Sequence, residues 1–443
     1  MRGIRIIILI VFCVGFSWPS MAQGDRRPFC LTLGAALQKA YTSNLQVMMA
    51  NARLEQAIAR ITQSQSDLLP HIDGIISGGR QSSDLRAEGL KIPIPGFGEH
   101  VKPYNTFDAR PRVTIALFDP SAFERFQAAK KGQNFSDAEL EKTREDVLAL
   151  TATLFIDAQR KQETVKLLKT LLDKDQMAYE LSEYNLNQGT GTDLDSNKYK
   201  TDLDQTRFLY QQSRRQAFEA RLDLEAALQI PLNRPLLFLE DKDLMRVLGN
   251  DSDVDFSQST NADMAVASSQ IEARKADQKT ALADFLPKVS GSADFGRLGE
   301  SPSNGSNTYD VGLSVSVPIW EGGEQQAKVK EVNGEIKEAQ ENLLDAAQQA
   351  QVNIAKARAA IVEAEDLRVA KIQERQTAQR SLFIAFHAQE IGSGTVFEVM
   401  QAKADLATAE DDYNEAQATW VMAHIDLLHA QGRLRELVKP EGA

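Results

Sequence analysis

The chain has 443 residues, with 50 basic and 62 acidic side chains and a formal net charge of −12. That acidic balance argues against nucleic acid as a partner, because phosphate is neutralised by basic patches. With only two cysteines, one of them in an N-terminal leader, a disulfide framework is excluded and stability must come from packing and assembly.

Residues 1–22 have the form of a secretory signal peptide. Arg2 and Arg5 precede the apolar run Ile6–Phe16, and Ser20-Met21-Ala22 supplies small residues at a cleavage position. Cleavage would leave 48 basic and 62 acidic residues, with Cys30 as the sole thiol. Arg26-Arg27-Pro28 before Cys30 do not form a lipoprotein cleavage box. No later apolar run reaches the ~18 residues of a membrane-spanning helix, so a membrane role is open only to strands.

Beyond the leader the chain carries one pattern twice: repeat 1 over 23–230, a connector over 231–259, repeat 2 over 260–437 and a tail over 438–443. Ser66-Asp-Leu-Leu-Pro70 recurs as Ala283-Asp-Phe-Leu-Pro287, a register shift of 217. Thr106-Phe-Asp recurs as Thr308-Tyr-Asp with a shift of 202, and Gly189-Thr-Gly-Thr192 as Gly392-Ser-Gly-Thr395 with a shift of 203. The copies therefore differ mainly by one loop, 15 residues longer in repeat 1. Self-similarity over so long a period sets the architecture before any local reading.

In chain order, repeat 1 reads as a helix over 32–69, a β-hairpin over about 71–118, a long helix over 121–187 and a helix over 194–229. Repeat 2 reads as a helix over 260–286, a hairpin over about 288–320, a long helix over 322–389 and a helix over 396–437. Proline at 70 and 287 ends the preceding helix, since the residue before proline avoids helical geometry. The long segments lack proline and space their apolar residues at three and four, as in Val147, Leu150, Leu154 and Ala158. At ~1.5 Å per residue each extends roughly 100 Å. The paired shorter helices total 74 and 69 residues, so two short helices end to end match one long one, with the glycine turns as distal tips.

The hairpins alternate. Val113, Ile115 and Leu117 oppose Arg110, Arg112 and Thr114, while Val289, Ala293 and Phe295 oppose Ser290, Ser292 and Asp294. About ten alternating residues with an aromatic at one end fit a transmembrane β-barrel strand, and they fit a half-buried soluble sheet equally. Four strands cannot close a barrel, because about eight is already the small limit. Lipid admits no open strand edge, so membrane strands would have to be pooled by several chains in a cyclic oligomer.

No enzyme constellation is present, and no cofactor or metal is expected. The histidines 71, 100, 387, 424 and 429 lack metal-ligand spacing, and no nucleophile elbow or phosphate loop occurs. Asp251-Ser-Asp253-Val-Asp255 resembles the start of a calcium loop, but Phe256 and Ala262 stand where glycine and glutamate are needed. Asp195 and Glu398, with Asp193 beside the first, occupy matching places after the glycine turns. They read either as a ring of carboxylates selecting cations or as ordinary first-turn acids on a helix dipole. Phe107, Phe118, Tyr309 and Trp320 read as interface aromatics or as packing in a soluble sheet.

Leu31-Thr-Leu-Gly-Ala-Ala-Leu37, Ser66-Asp-Leu-Leu-Pro70, Phe107-Asp-Ala-Arg110, Ala116-Leu-Phe118-Asp119, Pro318-Ile-Trp320-Glu-Gly-Gly323 and the paired glycine turns together resemble the TolC-like outer-membrane efflux protein family over residues 31–437. The resemblance implies an α+β membrane protein with a long α-helical barrel and a transmembrane β-barrel, pooled at four strands per protomer of a homotrimer. It implies a passive channel-tunnel for efflux or type I secretion, embedded in outer-membrane lipid, with its helices in the periplasm. A periplasmic adaptor and an inner-membrane transporter are the implied partners, docked at Gly189, Thr190, Gly191, Gly392, Ser393 and Gly394. Where some relatives carry a gate-locking arginine this chain has Gly394, so that lock is not expected. The alternative is a periplasmic coiled-coil tether or adaptor with a small soluble sheet.

Overall fold

The computed structural model describes residues 29–84, 100–232, 236–239 and 261–438. The leader, most of the first hairpin loop, most of the connector with its calcium-like acids, and residues 439–443 of the tail lie outside the described residues.

In chain order these are β1 (Phe29–Leu31), α1 (Leu33–Ser43), α2 (Leu45–Ser66), β2 (His71–Asp84), β3 (His100–Phe118), α3 (Pro120–Asn187), α4 (Asp193–Ala227), β4 (Leu236–Phe238), α5 (Ala262–Ala283), β5 (Lys288–Gly299), β6 (Gly305–Ser316), α6 (Glu324–Glu390), α7 (Val396–Gln431) and a 3₁₀ turn (Leu434–Leu437). The 68 residues of α3 and 67 of α6 each run roughly 100 Å. None of the described helices is long and apolar enough to cross a membrane.

The two strand-to-helix corners differ. Pro120 opens α3, where its missing N–H has no intrahelical partner to lose, and the Asp119 carboxylate accepts from Ala122 N at 3.0 Å and from Ser121 Oγ at 2.7 Å. Before α6 the chain instead turns through Gly322 and Gly323 at φ +64° and +93°, with no side-chain cap.

Two expected helices are shorter than the sequence suggests. The helix over 32–69 breaks at Asn44, whose backbone is extended (φ −69°, ψ 138°). Asn44 Oδ1 accepts from Gln46 N at 2.8 Å, capping α2, while its Nδ2 donates to Ala227 O at 2.9 Å, a carbonyl that the end of α4 leaves without a helical partner. Asn261 repeats the arrangement, accepting from Asp263 N and donating to Ala430 O of α7, both at 2.8 Å. Each buried asparagine thus joins two short helices end to end. The helix over 396–437 stops at Gln431 because Gly432 turns left-handed at φ +69°.

The core lies where α1, the middle of α3, and the far ends of α4 and α7 meet; Leu37, Leu148, Leu224, Leu228, Ile425 and Leu434 are fully buried there. On α3 the buried face includes Val147 and Ala158 of the expected stripe together with Leu148, Ala152 and Phe155, Leu154 packs partly buried against it, and only Leu150 of the stripe points outward. β1 and β4 pair in parallel beside this core, an unexpected two-stranded sheet, and Phe238 of β4 meets Phe155 edge-on at 5.2 Å. The buried Glu145 carboxylate accepts from Leu434 N at 2.9 Å and Arg435 N at 3.1 Å, so it docks the C-terminal turn; burial pushes its carboxyl up. Nearby, a hydrogen bond to Asp146 raises the His429 imidazole above its ordinary value.

α5 packs against both α3 and α6, whereas its counterpart α2 packs extensively only against α3. The remaining strands form one antiparallel sheet in the order β2-β3-β5-β6.

Candidate functional site

Two regions carry the candidate residues, the helical tips and the sheet. The tips are built alike. Gly189 and Gly392 both adopt φ +76°, the left-handed region open to glycine. At Gly191 a Cβ would come within 2.9 Å of Leu186 N, and at Gly394 within 3.0 Å of Ala388 Cβ, so the second glycine permits close approach. Thr190 Oγ1 and Ser393 Oγ each donate to a helix-end carbonyl at 3.1 Å, Asn185 O and Ala388 O. Thr192 and Thr395 then cap α4 and α7, accepting from Asp195 N at 3.1 Å and Glu398 N at 3.2 Å.

The tip acids take part in these caps. Glu398 closes a capping box by accepting from Thr395 N at 2.7 Å, and Asp195 accepts from Thr192 Oγ1 at 2.7 Å. Asp193 accepts from Asn197 Nδ2 at 3.1 Å. All three carboxylates are exposed at the end of the molecule, so capping leaves their charge toward solvent.

Behind the tips the two helix pairs are tied differently. Thr206 Oγ1 of α4 donates to Asp175 Oδ2 of α3 at 2.6 Å. Between α6 and α7 the tie nearest the tip is Lys371 Nζ to Asp412 Oδ2 at 2.9 Å, with the Arg375 guanidinium 4.0 Å above the Tyr413 ring. Beyond Lys371, among the described residues, no side-chain hydrogen bond or ion pair crosses between them. That stretch exposes Phe383, Ile384 and Phe386.

The sheet separates its two faces cleanly. Ile72, Val113, Ala293 and Val311 form one cross-strand row, and Leu313 and Val315 continue it downward through Gly291 and Val289. Ile72, Ile76, Tyr309, Val311 and Leu313 are each more than 70% exposed, and no helix packs across them. A register shift between Ala116 and Phe118 puts Phe118 opposite Val289, on this apolar face, where strict alternation from Ala116 would have turned it away. The exposed Phe118 and Trp320 lie at the helix-proximal end. Phe107, opposite Gly299, and Tyr309, opposite Phe295, lie toward the other end, near Arg297. From Phe118 to Ala109, opposite Arg297, the apolar rows cover about 30 Å of strand, and at a tilt of ~40° that is close to the ~25 Å apolar band of a membrane barrel.

The opposite face is charged. Asp73, Arg112, Asp294 and Asp310 share one row across all four strands. Arg110 Nη1 donates to Asp294 Oδ1 at 2.9 Å and Arg112 Nη2 to Asp294 Oδ2 at 3.3 Å. Arg110 also forks onto Asp108, with both bonds at 2.6 Å. The alternation of Arg110, Arg112 and Asp294 is legible in the sequence; their convergence needs the register. Among the described residues no group of three or more His, Cys, Asp or Glu is arranged to hold a metal.

The profile of the outer membrane efflux protein family matches residues 36–228 and 256–433. The alkaline protease secretion protein AprF of Pseudomonas aeruginosa is 23% identical over 389 residues, covering 83% of this chain and 76% of that protein. The proteases secretion protein PrtF of Dickeya chrysanthemi is 25% identical over 359 residues, covering 75% and 74%. Among solved structures, the Campylobacter jejuni CmeC outer membrane channel superposes with a TM-score of 0.75 at 18% identity, covering 90% of this chain and 85% of that one. Its likeness extends to the fold.

Proposed function

The chain belongs to the outer membrane efflux protein family, and on that premise we propose that it is the trimeric exit duct of a secretion system, gated at its helical tips. Membership makes it an outer-membrane channel of the efflux and secretion class and not an enzyme. The observation that carries the finer reading is the four-stranded sheet with an uncovered apolar face, a charged opposite face and two open edges. A soluble sheet would bury that apolar face under helices. In lipid, the open edges of β2 and β6 demand strands from other chains. Three copies supply twelve strands and close one barrel with polar residues inside.

The helices then form a periplasmic tunnel about 100 Å long, with an adaptor and an inner-membrane transporter engaged near the tips. Asp195, Glu398 and Asp193 form the carboxylate ring at its entrance, and Gly189–Gly191 with Gly392–Gly394 the docking turns. Phe107, Tyr309, Phe118 and Trp320 mark the two lipid interfaces. Two relatives are named for protease secretion, which favours a polypeptide cargo in a type I system. The duct is passive, and energy comes from the transporter.

The protein is expected in the outer-membrane fraction as a heat-labile, detergent-resistant trimer that conducts in planar bilayers. Release by osmotic shock as a soluble protein would overturn this reading. For the ring, Asp195→Asn with Glu398→Gln is preferable to alanine, because glutamine retains the capping box while losing the charge. Weaker cation selectivity is expected, and an unchanged permeability ratio would remove the ring from the reading.

A further inference from the structure

We infer that the polar face of the sheet carries a second charge-selectivity determinant, the carboxylates of Asp73 and Asp310, remote from the tips. This rests on the channel reading above, in which that face lines the barrel lumen.

The four acids described on this face are not equivalent. Asp294 has a side chain only 7% exposed, with one guanidinium on each oxygen. Asp108 is held in a two-pronged bond by Arg110. Arg110 and Arg112 therefore offset Asp108 and Asp294. The geometry is built for this: at Gly296 a Cβ would lie 2.2 Å from Ala109 O and 2.5 Å from Arg110 Cγ, so only glycine lets Arg110 lie across β5 to reach Asp294.

Asp310 stands directly opposite Asp294, and like charges so paired destabilise a sheet unless one is neutralised. Both arginines converge on Asp294, which leaves Asp310 exposed and without a described partner. Asp73 stands opposite Arg112, but that guanidinium turns to Asp294, so Asp73 is exposed and likewise without a partner among the described residues. The uncompensated charge of the face thus resides on its outermost strands, β2 and β6. Closing a barrel brings β6 of one copy beside β2 of the next, so free carboxylates flank every seam. Three copies carry six of them. Such a belt raises the local concentration of cations and opposes anions. In a wide aqueous lumen its reach is set by screening, about 30 Å at 0.01 M salt and about 3 Å at 1 M.

The test is the reversal potential of full-length trimers in planar bilayers under a KCl gradient. Asp73→Asn with Asp310→Asn should lower the cation-over-anion permeability ratio about two-fold or more near 0.01 M salt, and the difference should vanish near 1 M. Arg110 and Arg112 stay in place, so the sheet network is preserved. As an independent arm, Asp310→Cys in a Cys30→Ser background should regain selectivity with an anionic thiol reagent and lose it further with a cationic one. An unchanged ratio at low salt in conducting Asn variants, or indifference to the sign of the thiol reagent, overturns the belt. A wild-type protein that forms no channel at all overturns the channel reading instead.

Discussion

Asn44 and Asn261 each perform two tasks that are normally divided between residues. One side-chain amide caps the helix that begins there and also satisfies a carbonyl at the end of another helix some 180 residues away in the first case. Removing either amide leaves a buried carbonyl unpaired and a helix uncapped, at about 1–3 kcal/mol. We expect Asn44→Ala and Asn261→Ala each to lower the melting temperature of the detergent-resistant trimer. The sequence holds a faint trace of this pair in Thr42-Ser-Asn44 and Ser259-Thr-Asn261, which stand at the same register shift of 217 as the prolines. The carbonyl partners are not legible, because they lie at distant positions that only folding brings close. The tip acids illustrate the reverse case. Their matched positions are plain in the sequence, but their part in capping emerges only with the turn geometry.

At the scale of elements, the sheet offers the most direct test of membrane placement, because neighbouring residues face opposite media. Leu313 lies on the apolar face and Ser314 on the charged one. Leu313→Lys should impair outer-membrane insertion by about 2–4 kcal/mol if it lies near the bilayer midplane, whereas Ser314→Lys should insert normally. Equal tolerance of both, measured as heat-labile trimer in the membrane fraction, would count against lipid on that face. Strand parity, both hairpins and the long helices were legible because each depends on periodicity along one stretch of chain. The shift at Phe118, the break at Asn44 and the β1–β4 pair were not. Each turns on a partner elsewhere in the chain: β5 for Phe118, α4 for Asn44, and β4 in the connector for β1. The unexpected outward turn of Leu150 follows likewise from which neighbours surround α3.

For the whole molecule, the duplication makes an intramolecular contact predict an intermolecular one. α5 is held between α3 and α6, through Lys142–Asp263 and Lys131–Glu272 on one side and Arg274–Glu335 and Gln278–Asn333 on the other. Its counterpart α2 makes only the first kind of contact and leaves Leu45, Met48, Met49 and Ile58 exposed. In the proposed trimer α6 of the next copy completes the set. Met48→Glu with Met49→Glu should therefore abolish the trimer band while helical content by circular dichroism remains unchanged. Retention of the trimer would place that stripe outside the interface.

The open edges of β2 and β6 also set a clock on biogenesis. A lone chain presents bare strand edges beside an uncovered apolar face, the combination that drives aggregation. Productive closure needs three such chains, whereas off-pathway sticking needs only two. Yield is thus a race between reactions of different molecularity, decided by how many copies reach one patch of membrane before any pair adheres wrongly.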